Sequence, residues 1–166
     1  MRYLILYLSL ISSPVFAGEL PLNELRALFQ KSAFEEASCR KLISLIKDNN
    51  ESKDHTMAAY KACATMMMAK YVFNPFTKLS NFHKGKKMLE HCVQDSKGNI
   101  EIIFLRFTVQ CNAPRFLNYH SSILNDKMHL LNSIDKLTDM QLKEIIIHYL
   151  KTSEHLSATE KQNLIS

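Results

Sequence analysis

The chain has 166 residues, a formal net charge of +5, and only 3 Gly and 4 Pro. A β-rich domain places turn residues roughly every 8–12 positions, and this chain lacks them. So few glycines also exclude a phosphate-cradling loop, and the absence of Trp removes the commonest aromatic platform for sugars.

In chain order, the first element reads as a secretory signal segment. Met1-Arg2 gives a positive start, Tyr3 to Ile11 is an apolar run, and Ser12, Ser13 and Pro14 break it. Val15-Phe16-Ala17 then sets small residues before a cut after Ala17. The run is too short for a transmembrane helix, which takes about 20 apolar residues. No Cys follows the cut, so lipid attachment there is not expected. The reading is thus residues 1–17 cleaved and residues 18–166 a single domain, periplasmic or secreted, with no transmembrane anchor after cleavage. Export sets nucleic acid aside as a partner despite the basic pI and leaves acidic partners or anionic surfaces.

Low Gly and Pro with abundant Leu, Ile, Lys, Glu and Met favour helices. Pro21 opens helix one, to about residue 32, with Leu22, Leu25, Leu28 and Phe29 on its stripe. Helix two, about 34–49, carries Phe34, Ala37, Leu42, Leu45 and Ile46, and Asp48 to Lys53 is a polar exit and loop. Asp54 caps helix three, about 55–73, which is apolar nearly all round and so expected to be central. Asn74-Pro75 stops it. Helix four, about 76–95, sets Leu79, Phe82, Leu89 and Val93 on one seam, with Gly85 there to let another helix approach. Asp95 to Asn99 is a turn, and helix five is about 100–111. Pro114 is read as opening helix six, about 114–133; helix seven is about 139–152, and Ser157 and Glu160 form a capping box for a short last helix. The expectation is an all-α domain of seven to eight helices in antiparallel hairpins, either tetratricopeptide-repeat-like or an irregular orthogonal bundle.

Lys87 to Asp95, followed by Asn99-Ile100-Glu101, resembles the junction between successive helices of a tetratricopeptide repeat. The resemblance covers one junction only. Ala64 to Lys70, Phe73 to Leu79 and Lys84 to Glu90, with Phe104 to Phe107 and Asn112-Ala113-Pro114, also look like a family of exported bacterial proteins. That resemblance implies export and an all-helical fold, and it brings no reaction with it.

No catalytic, cofactor or metal signature stands out. There is no HExxH, no CxxC and no nucleophile elbow, so an enzyme ranks behind a binding function. Cys39, Cys63, Cys92 and Cys111 fall one per helix. Helices two and three turn near residue 52, so Cys39 and Cys63 stand at similar height and a disulfide between them is allowed. Four buried thiols is the ordinary reading. Met66, Met67 and Met68 read as core before they read as a ligand groove. His83 and His91 sit about 12 Å apart along their helix, too far for one metal to bridge.

Two surfaces remain. Lys84 and Lys87 share a basic face of helix four, suited to an acidic partner or anionic envelope surface. Arg106 interrupts an apolar run and requires acceptors if buried, with Glu90, Glu101 and Asp126 as candidates. Its functional reading is an anion anchor in a cleft with Lys70, Asn74, Lys78, Gln110 and Asn112. The leading expectation is an exported interaction or scaffold module recognising a protein or envelope component. The alternative is a binding protein for a small apolar or anionic ligand held between helices three to five.

Overall fold

The computed structural model of the chain describes residues 21–46 and 54–164. The expected signal segment, residues 1–17, and the polar loop at 51–53 lie outside the described residues. These form eight α-helices and no strand: α1 (Leu22–Ser32), α2 (Glu36–Leu45), α3 (His55–Met67), α4 (Pro75–Asp95), α5 (Ile100–Asn112), α6 (Ile123–Ser133), α7 (Met140–Thr152) and α8 (Ala158–Asn163). The all-α class and the helix number agree with the sequence reading.

Helix starts follow cap chemistry, because the first N–H groups of a helix have no partner within it. Asp54 accepts from the Thr56 and Met57 amides, Asn74 from Phe76 and Thr77, and Asn99 from Glu101 and Ile102. Ser157 and Glu160 complete the capping box of α8. Short connections then fold α1 against α2, α3 against α4, and α5 against α6.

Two apolar cores lie on either side of α5. Ile102 and Leu105 face the first, with Leu25, Leu42, Leu89 and the small residues of α3. Ile103, Phe104 and Phe107 face the second, with Leu130, Ile146 and Leu150. A helix apolar all round can serve two cores at once, and α5 does so as the wall between α1–α4 and α6–α8. Helix α3 is buried from Ala59 to Met66, as its composition predicts.

Several expected boundaries shift. Pro114 opens only one 3-10 turn, Arg115–Leu117, and Asn118 then takes a left-handed conformation (φ 47°). The chain breaks there because Tyr119 turns inward. Its ring stacks edge-on against Phe82 at 5.9 Å and its hydroxyl donates to Glu90. Helix α3 tightens into a 3-10 turn at Met68–Lys70 and stops short of residue 73. Phe34 stands in the turn before α2, 85% exposed, and not in that helix's apolar stripe; Leu79 is 43% exposed and only partly in the α4 seam.

Candidate functional site

Arg106 is the first candidate, and each of its three guanidinium nitrogens is engaged. Nε and Nη2 make a fork onto Asp126 at 2.9 and 2.6 Å, and Nη1 donates to Glu90 at 3.0 Å. Burial pushes the Asp126 carboxyl up, and the guanidinium beside it opposes that rise. The Tyr119 hydroxyl takes the other Glu90 oxygen. Arg106 thus joins α4, α5 and α6 as an internal tie. Two of the three acceptors read from the sequence, Glu90 and Asp126, are its partners.

Glu101 serves a second network that sequence reasoning missed. Arg26 of α1 forks onto Glu101 at 2.7 and 2.9 Å and reaches Asp139 at 2.8 Å and Gln141 at 3.0 Å. Tyr60 also donates to Glu101, at 2.7 Å. Hydrogen bonds from Arg26 hold the Asp139 carboxyl below the usual carboxylate range. Arg26 sits on an amphipathic helix of ordinary polarity, so no local signal marks it as buried.

The other residues of the expected cleft separate. Gln110 is fully buried, with Oε1 accepting from the Ser122 amide and Nε2 without a partner among the described residues. Asn112 bonds Tyr149 of α7 on the far side of α5. Asn74 is the α4 cap, flanked by exposed Lys70 and Lys78. Lys84 and Lys87 are exposed further along α4. The structure therefore brings Lys70, Asn74 and Lys78 to one end of the bundle and keeps Arg106, Gln110 and Asn112 away from them.

Cys39 and Cys63, the pair whose register allowed a disulfide, are free thiols, as are Cys92 and Cys111. Cys39 donates to the Ala64 carbonyl at 3.2 Å. Burial pushes Cys39, Cys92 and Cys111 up to about 11, and Cys63 higher still. The thiolate is the nucleophile, so these sites suit packing better than chemistry. At pH 8 the folded protein is expected to react with iodoacetamide about a hundredfold more slowly per thiol than after unfolding, read by mass spectrometry. Reaction at the unfolded rate would show the thiols to be open.

Met66 and Met68 are buried, and Met67 half-buried. His91 pairs with Asp95 one turn on, at 2.9 Å, on the exposed side of α4. Among the described residues, no group of three metal-ligating side chains occurs and no helix is long and apolar enough to cross a membrane. A shallow open cleft of about 510 Å³ lies between the starts of α3 and α5. Two of its lining side chains, Asp54 and Asn99, are already used as helix caps.

The most unusual feature lies at the end of the bundle opposite that cleft. Phe73 is 100% exposed and Phe76 83%, on the α3–α4 connection and the first turn of α4. Phe34 belongs to the same end. Lys70 Nζ lies 5.9 Å from the ring centres of both Phe34 and Tyr71, and it donates to the Ala33 carbonyl at 2.8 Å. Tyr71 donates to the Ser32 carbonyl at 2.7 Å, so the α1–α2 and α3–α4 turns are locked side by side. From Pro75 to Ser80 every residue of α4 is exposed. The sequence held one clue: Phe73 and Phe76 flank the Asn-Pro stop, at the break between two helices.

Comparison with protein-family models gives no match, and neither do comparisons with curated proteins and with solved structures.

Proposed function

We propose that this protein is an exported helical interaction module that docks through its phenylalanine-bearing end. The observation that carries the reading is the exposure of Phe34, Phe73 and Phe76 together at one end, edged by Lys70 and Lys78. Single exposed apolar residues are ordinary on a soluble protein, whereas a group of large rings at one end marks an interaction surface. The engaged donors of Arg106 argue for this end over a ligand cleft between α3 and α5. The signal-like first 17 residues, the basic α4 face with Lys84 and Lys87, and the likeness to exported helical proteins point to the cell envelope as the place of work. The partner is a protein or another envelope component, met by a repeat-like stack of hairpins.

The test is fractionation of the exporting host with wild-type protein and a Phe73→Ser, Phe76→Ser variant. Wild type is expected in the envelope fraction and the variant in the soluble fraction, with equal thermal unfolding. Equal distribution of the two would overturn the reading.

A further inference from the structure

We infer that the partner of the phenylalanine-bearing end is the anionic surface of a lipid bilayer, entered by the rings of Phe73, Phe76 and Phe34. The inference rests on the docking reading above and names what that end docks to.

The first argument is how the rings are presented. The Arg106–Glu90 pair sets the register of the α4–α5 hairpin. Counting back from it, Asn112 at the end of α5 lies opposite about residue 84. The start of α4 then projects roughly 13 Å beyond α5 at 1.5 Å per residue. The full exposure of Pro75–Ser80 agrees with that projection. Rings on projecting turns bury little against a flat protein surface, but they can sink completely into a fluid headgroup layer, where interfacial apolar groups sit some 5–10 Å deep.

The second argument is charge. Lys31, Lys70 and Lys78 are exposed at this end. The acidic residues there are Glu35 and Glu36, and Glu36 is paired with Arg40. A cationic edge around apolar rings matches anionic headgroups, each Lys or Arg near such a surface contributing about 1 kcal/mol.

The third argument is independent of both. Backbone groups that enter a low-water layer unpaired are costly. At this end four of them are covered from within: Asn74 takes the Phe76 and Thr77 amides, Lys70 the Ala33 carbonyl, and Tyr71 the Ser32 carbonyl. The tip can lose water while leaving these four groups bonded.

The chain has no Trp, so a single introduced Trp reports on its own site. Phe76→Trp places one at the tip. Met140→Trp places one at the opposite end, where Met140 is exposed beside Asp139, the partner of Arg26. The probe is vesicles of phosphatidylcholine with phosphatidylglycerol, with and without brominated acyl chains. With anionic vesicles, Trp at 76 is expected to shift its emission to the blue and to be quenched by bromine, and Trp at 140 to do neither. Binding should weaken at least about tenfold in Phe73→Ser, Phe76→Ser and fall steeply with salt. Both phenylalanines are exposed, so unfolding of that variant should match the parent, checked by circular dichroism.

No blue shift at 76, or an equal response at 140, would overturn the lipid assignment. So would a blue shift at 76 that grows with protein concentration in the absence of vesicles, since a second copy would then cover the tip. If vesicles give nothing while the envelope fractionation still depends on Phe73 and Phe76, docking stands and the lipid assignment fails. If both fail, so does the docking reading.

Discussion

Arg26→Met is expected to lower the free energy of unfolding by about 3–5 kcal/mol, the range for breaking a buried ion pair on one side. The size comes from what is left behind. Glu101 is 5% exposed and receives two bonds from the guanidinium and one from Tyr60. Without Arg26, a carboxylate stays in an apolar wall with one neutral donor, and must take up a proton or admit water. Removing both charges, as Arg26→Met with Glu101→Leu, is expected to recover at least half of the loss, because apolar groups of similar volume replace buried pairs at little cost. Urea denaturation followed by circular dichroism separates these outcomes, with the midpoint moving and the slope unchanged. Arg26 also reaches Asp139 and Gln141 at the start of α7. The single variant should therefore speed amide hydrogen exchange in α7 beyond the global change. A loss under about 1 kcal/mol would mean the pair behaves as a surface contact.

The Arg26 network also shows where reading the sequence stops. Element type was legible wherever a local rule applied. The caps at Asp54 and Ser157 lie where side-chain chemistry puts them, and the Asn-Pro stop separates α3 from α4. Pairing across the fold was legible only when one partner was conspicuous. Arg106 stands out because it interrupts an apolar helix, so its acceptors could be named in advance. Arg26 lies 75 residues from Glu101 in an unremarkable amphipathic stretch, and no periodicity reports that separation. The same limit explains Pro114. A proline fits the first turn of a helix, but here Tyr119 gains burial, an aromatic contact and the Glu90 bond by breaking the chain at Asn118. The aromatic end failed for a related reason. By spacing alone Phe34 fits a helix stripe, while the turn before α2 carries it out to solvent.

Gly85→Ala is expected to destabilise the fold by about 1–3 kcal/mol, although helix propensity alone would favour Ala by about 1 kcal/mol. The sign is decided by what the added Cβ meets. It would stand 2.5 Å from the Ala62 carbonyl oxygen, 2.5 Å from Met66 Cγ and 2.9 Å from the Met66 amide nitrogen. The Met66 side chain can swing aside. The carbonyl and the amide belong to the backbone of α3, and they move only if the two helices part along their whole contact. A close-packed interior does not absorb such a shift locally. Ser80→Ala, at an exposed position of the same helix, isolates the propensity term and should be neutral or slightly stabilising. The comparison of the two melting midpoints is the measurement, and a rise for Gly85→Ala would show that α3 and α4 do not approach this closely. The α3–α4 hairpin also carries Phe73 and Phe76, so parting its helices displaces the tip. Gly85→Ala should therefore weaken vesicle binding even at temperatures where it stays folded, whereas Ser80→Ala should leave it unchanged.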